Sequence, residues 1–385
     1  MKSVYFDHAA TTPVDRRVLE RMLPFFCEVY GNPSELHKQG REARAAVESA
    51  RAQVAAAIGA GDKEIVFTAG GTESDNLALF GYLQRFEPGH FIIGATEHPA
   101  VMEAARALNR LGWAVDFIPV DEYGTIDLDA YERAFRDDTR LASVMFANNV
   151  VGTIQPVAEL ARIAHEKGAV FHTDAVQAVG SVPIDVQALG VDMLTISGHK
   201  IYGPKGIGAL YAKRGTRLTP IIHGGGHERR LRSGTENVPG IVGMGAALDI
   251  AVAEMPETKP RLERMRDRMA AAVLESVPDT KYLGHPTQRL PGNVSFTVRY
   301  IEGESMLLQL DTHGYMVSSG SACASGSLEP SHVILALGLG AEEAHGSLRV
   351  SLGRENTDDE IDGFVEVFPP IVEKLRHMSP LYVKG

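Results

Sequence analysis

Apolar and polar positions alternate along the 385-residue chain with two periods, one helical and one strand-like. Over residues 34–58 apolar side chains recur at helical spacing through Ala43, Val47, Ala50 and Val54. Ser34 is placed to cap that helix and Gly59 to end it. Short apolar runs then trade places with helical stretches. Strands are predicted over 65–67, 91–93, 114–118, 141–146, 169–172, 193–196 and 207–211, and helices over 73–83, 99–111 and 157–167. Strands alternating with helices imply an α/β fold with a mostly parallel sheet covered on both faces. Such a sheet places its ligands in loops at the carboxyl ends of its strands. A helix over 236–254 then meets residues 255–260, where Pro256 and Pro260 read as a break. Helices over 261–276, 304–311 and 358–376, with strands over 293–298 and 348–352, follow like a separate α+β unit.

Composition removes several function classes. The chain is 44% hydrophobic and 23% charged, which is ordinary for a globular protein. Its 38 basic and 49 acidic side chains leave a formal charge of −11, which repels phosphate backbones, so no nucleic-acid partner is expected. The two cysteines, Cys27 and Cys323, exclude a disulfide framework and a four-cysteine zinc site, and they fit a reducing compartment. No signal-peptide pattern opens the chain and no apolar run reaches about 18 residues, so a cytoplasmic protein without a membrane span is expected. Cys27 lies in an apolar stretch with Phe25, Phe26 and Val29 and is expected to pack inside.

The chemistry-bearing residues fall where strands end. Lys200, in Ser197-Gly198-His199-Lys200, directly follows an apolar strand among small neighbours. A lone lysine there is usually a solvated side chain, but a partly desolvated amine can form a Schiff base. Asp174 follows the strand before it. Pyridoxal phosphate needs these two anchors, a lysine at its aldehyde carbon and an acid at its ring nitrogen. Gln177 can bond the ring hydroxyl. The turn Gly70-Gly71-Thr72 lies between a strand and a helix, where glycines admit a phosphate to the first helical N–H groups. It matches neither nucleotide-loop pattern, which leaves a plain nucleotide-binding module without a motif. His98, at another strand end, could lie over a flat ring and move protons. The run from Ser318 to Ser327 is serine- and glycine-rich with no apolar anchor, so Cys323 reads as a nucleophile on a travelling surface loop.

Nine segments carry a resemblance when taken in order: residues 5–13, 31–34, 72–76, 96–98, 197–206, 224–228, 232–235, 318–323 and 349–353. Together they resemble the cysteine desulfurases, the pyridoxal-phosphate enzymes of iron–sulfur assembly and nitrogen fixation. The resemblance implies the aspartate aminotransferase-like transferase fold of class V, with a large cofactor domain over 14–255 and a smaller domain from 1–13 and 256–385. It implies that Lys200 holds the cofactor covalently and acts as acid and base, that Asp174 pairs with the ring nitrogen, Gln177 with the ring hydroxyl, and that His98 stacks on the ring. Gly71, Thr72, Ser197 and His199 would bind the phosphate, and Thr235 would reach into the partner's site of a homodimer. Asn149 and Arg349 would hold the carboxylate of L-cysteine, and Cys323 would collect the sulfur as a persulfide for an acceptor protein. No metal is implied.

Two departures matter. Residues 147–152 resemble the family's Asn-Asn-Glu-x-Gly turn, but Val150 stands where the pattern has glutamate, which is expected to loosen the Asn149 turn and to lower or alter activity. The chain stops at Gly385, short of the longer tail with which relatives dock an iron–sulfur scaffold. The spacing from Cys323 to Pro330 fits the long-loop branch. Two rival readings share the scaffold: a selenocysteine lyase, which needs no loop thiolate, and an impaired sulfur-relay protein.

Overall fold

The computed structural model describes residues 3–320 and 330–382. Its strands, in chain order, are β1 (Val4–Tyr5), β2 (Ile65–Thr68), β3 (His90–Gly94), β4 (Ala114–Ile118), β5 (Thr139–Ser143) and β6 (Val170–Asp174). Then come β7 (Met193–Ser197), β8 (Gly208–Ala212), β9 (Thr280–Tyr282), β10 (Asn293–Val298), β11 (Tyr315–Met316) and β12 (Ser347–Ser351). Seven of them form one sheet in the order β2-β8-β7-β6-β5-β3-β4. Pairing is parallel from β7 to β4, while β8 runs against both its neighbours.

Both faces of this sheet are buried, which explains the unbroken apolar runs. Val66, Phe91, Ile93 and Met193 face the helices Gly71–Leu83 and Pro99–Arg110. Their strand neighbours Ile65, Phe67, Ile92, Leu194 and Ile196 belong to the opposite core with Val47, Val54, Met244 and Leu248. Each large side chain withdrawn from water there contributes about 1.5–3 kcal/mol. A second core gathers Phe6, Phe296, Leu348, Phe364 and Phe368 around the antiparallel sheet β12-β10-β9. The chain's first strand joins this end: β1 pairs in parallel with β11, and Asp7 bridges to Ser351.

Four sequence expectations change. The expected break at 255–260 does not occur; one helix runs unbroken over Val238–Ser276 with Pro256 and Pro260 inside it. Both prolines face solvent, where the carbonyls they leave unbonded can be hydrated. By length and composition this helix is also apolar enough to cross a membrane, but half of that window is buried and it packs along Lys38–Ala57. The helix Lys38–Ala57 starts four residues later than expected. Asn32 Oδ1 accepts from Ser34 N in a turn, and His37 Nδ1 becomes the cap by accepting from Gly40 N. The strand expected over 141–146 ends at Ser143, although Val144 N and Phe146 N still donate to the carbonyls of His172 and Asp174 in β6. Cys27 is exposed rather than packed, on the short helix Pro24–Cys27 beside exposed Leu23 and Phe26.

Candidate active site

β6 and β7 lie side by side, with Asp174 opposite Thr195, so their carboxyl ends open together. Asp174 closes β6. Its Oδ1 accepts from Val176 N at 2.9 Å, the local turn that aspartate favours. Ser197 closes β7, and the single turn Gly198–Lys200 follows at once. Lys200 therefore reaches the same opening, where its Nζ donates to the carbonyls of Ala9 and Ala10, each at 2.6 Å. Gln177 Nε2 donates to the Ala9 carbonyl at 3.0 Å. The same segment caps the next position: Thr12 Oγ1 donates to the His199 carbonyl, and Thr11 Oγ1 lies 3.1 Å from His199 Nδ1.

The third element is the helix Pro99–Arg110, which begins beyond β3. His98 is its cap, its Nδ1 accepting from Ala100 N at 3.1 Å. Cap geometry thus fixes the ring over the opening. The polar atoms of His98, Asp174 and Asp75 lie within 4.8 Å of one another. Burial pushes Asp174 upward from the usual carboxylate range, opposed by His98, the Val176 amide and Lys200. Burial lowers His98, with the carboxylate of Asp174 opposing the shift. His199 falls to about 4, again through burial, with Lys200 and Lys205 adding to the shift.

The fourth element is the start of the helix Gly71–Leu83. Gly71, Thr72, Ser197, His199 and Lys205 line one open cleft. The first N–H groups of a helix have no intrahelical acceptor and carry a partial positive charge. The cleft is built to be narrow at its base. A Cβ on Gly71 would come within 3.0 Å of Val176 Cγ2, and one on Gly208 within 2.6 Å of the Gly70 carbonyl carbon. Glu73 steadies the entry, accepting from Ala69 N at 2.9 Å and pairing with Arg232.

The expected substrate residues sit on the other flank. Arg349, 2% exposed, holds Asp7 Oδ1 at 2.8 Å and the Asn149 carbonyl at 3.2 Å; its Nε is buried without a hydrogen-bond partner among the described residues. Asn149 is buried beside it. The turn containing Val150 is not loosened, contrary to expectation. Asn148 Oδ1 accepts from Val150 N and Val151 N, and Val150 packs with Val151, Ile334 and Leu337. Thr235 is exposed and does not line its own chain's cleft. Cys323 lies outside the described residues. The segment before it is anchored to the site, since Ser318 pairs through its backbone with Arg349.

Three buried groups were not foreseen. Asp75 lies one turn into the helix Gly71–Leu83, Glu97 precedes His98, and His172 precedes Asp174 by two on the same face of β6. Their signal was a titratable residue inside a stretch that should bury every side chain, which is costly unless it serves something.

These residues fit pyridoxal 5′-phosphate: an anion cup, a buried acid that would meet a ring nitrogen, and an amine close enough to act on that acid. That arrangement is the site of a pyridoxal-phosphate transferase of class V, and the family model described as aminotransferase class V matches residues 4–364. A relative from Methanosarcina thermophila, a cysteine desulfurase IscS, is 51% identical over 385 residues, covering 100% of this chain and 95% of its own. A solved NifS-like protein superposes with a TM-score of 0.91 at 39% identity, over 97% of this chain and 100% of the other. Another, described as SspA in complex with cysteine, gives 0.81 at 36% identity over 92% and 100%. The chain belongs to the cysteine desulfurase family, whose members depend on pyridoxal 5′-phosphate.

Proposed function

We propose that this chain, as a homodimer, takes the sulfur from L-cysteine, releases L-alanine, and leaves the sulfur on Cys323 as a persulfide for an acceptor thiol. The observation that carries the reading is the joint opening of β6 and β7, which brings Asp174, His98 and the Lys200 turn to one place beside an anion cup. When bound, pyridoxal 5′-phosphate supplies an electron sink for charge developing at the substrate's α-carbon. Gly71 and Thr72 N–H groups, with Ser197 and His199, would hold the phosphate. Asp174 carries the charge that keeps the ring nitrogen protonated, in a site too dry to screen it. His98 would cover one face of the bound ring and exclude water from it. Lys200, released from the Ala9 and Ala10 carbonyls, takes the α-proton at its Nζ. Arg349 can accept the substrate carboxylate through its unpartnered Nε and a neighbouring N–H, a geometry suited to two parallel bonds.

The sulfur step belongs to Cys323. Its thiol gives up a proton, and the thiolate pair forms the S–S bond to the substrate sulfur. The C–S bond breaks with its pair left on the β-carbon, and that carbon takes up a proton in place of the one the thiol released. Lys200 returns its proton to the α-carbon to complete alanine. Exposed Thr235 and, in another segment, the exposed apolar side chains of Leu23, Phe26, Tyr30 and Leu36 support the presence of a second subunit. The test is cofactor-loaded protein given L-cysteine alone, with alanine quantified and Cys323 weighed by mass spectrometry. Alanine and one added sulfur are expected, with neither in Lys200→Ala and no added sulfur in Cys323→Ser. Loaded wild-type protein that yields neither would overturn the reading.

A further inference from the structure

Asp75 has no part in the steps above, yet it is 1% exposed and sits inside the 4.8 Å triangle with Asp174 and His98. Its Oδ1 has no hydrogen-bond partner among the described residues and lies 3.7 Å from His172 Nε2. Around it, Asp174 and His172 come from β6, and Thr195 from β7. Glu97 and His98 come from the segment after β3. His172 offers it no positive charge. Both ring nitrogens of His172 are engaged by hydroxyls, Ser143 at 2.8 Å and Thr195 at 3.0 Å, and burial drives it down to about 3.

Two carboxyls this close and this dry do not both ionise. Their surroundings separate them. Asp174 has the Val176 amide on its Oδ1 and Lys200 and His98 nearby. Asp75 has burial and the charge of Asp174 against it, and only a hydroxyl in its favour. We propose that Asp75 is a positioning residue that holds the proton of this buried pair, so that Asp174 alone faces the ring nitrogen as an anion. One helix then serves both ends of the cofactor, the anion cup with its first turn and the charge of the nitrogen's partner with its second. The inference rests on the cofactor reading of the cleft and not on the sulfur chemistry, so its test does not require turnover.

The test is infrared spectroscopy of the holoenzyme near neutral pH, with aspartate carboxyls labelled with carbon-13 so that Glu97 is silent. The carbonyl stretch of a protonated, isotope-shifted aspartic acid is expected in the wild type and absent in Asp75→Asn. Asparagine mimics the neutral acid. Asp75→Asn should therefore bind pyridoxamine 5′-phosphate within about twofold of wild type, whereas Asp75→Ala, which removes the polar group beside Asp174 and leaves a void, should lose about tenfold. Absence of the band in wild type, or its survival in Asp75→Asn, would overturn the proposal. So would an Asp75→Asn protein that binds as weakly as Asp75→Ala. If Asp75→Ala does not fold, wild type and Asp75→Asn decide between themselves.

Discussion

His172 is a neutral imidazole sealed between two hydroxyls, and its burial gives the fold a defined acid sensitivity. Its ordinary value is 6.5, and burial lowers it to about 3. Below about 6.5 the unfolded chain takes up this proton, while the folded chain declines it until about pH 3. The contribution is therefore complete above 6.5 and is lost as pH falls through that window, by about 1.4 kcal/mol per pH unit. Asp75 and Glu97 work in the opposite sense, since burial raises both and their contribution declines as pH rises from the unfolded carboxylate value. In His172→Gln the amide can still meet Ser143 and Thr195. Its unfolding free energy, measured in urea from about pH 3.5 to 7, should fall less steeply with acid, by about one proton. Parallel slopes for the two proteins would contradict this. The sequence made Lys200, Asp174 and His98 readable because each follows an apolar strand, where a polar side chain must face the opening. Asp75, Glu97 and His172 were hidden because nothing in their spacing says which way a buried carboxyl or imidazole turns.

At the scale of elements, the large sheet was readable because strands buried on both faces must be apolar throughout. Its short companions were not. β1 and β11 are two-residue strands whose pairing depends on each other across most of the chain. Periodicity carries no information over so few positions. The break expected at 255–260 failed for a different reason. Proline's cost in a helix depends on whether the freed carbonyl meets water, and burial is not visible in local sequence. The cost nevertheless remains. Pro256 is exposed and its missing donor leaves the carbonyl of Val252, itself 41% exposed, outside the ladder. Pro256→Ala should raise stability by about 1–3 kcal/mol, read as a higher midpoint in thermal unfolding. A lowered midpoint would mean that the proline's stiffness in the unfolded chain outweighs the missing bond.

At the scale of the molecule, the site is a meeting of distant segments. Residues 7–12 hold Arg349 through Asp7, Lys200 and Gln177 through Ala9 and Ala10, and His199 through Thr11 and Thr12. A protein lacking residues 1–12 should keep its large sheet, by far-ultraviolet circular dichroism, yet bind pyridoxamine 5′-phosphate at least about tenfold more weakly. Unchanged affinity would show that the carbonyls of Ala9 and Ala10 are idle.

The pairing of β1 with β11 also sets a schedule for biosynthesis. Val4 leaves the ribosome 311 residues ahead of its partner Tyr315. At about 5–20 residues per second, the two are separated by roughly 15–60 s of translation. Through that interval the roof of the cleft has nothing to fasten to. Stalled nascent chains that end before residue 315 should fail to take up the coenzyme, and loading should begin only once β11 has emerged.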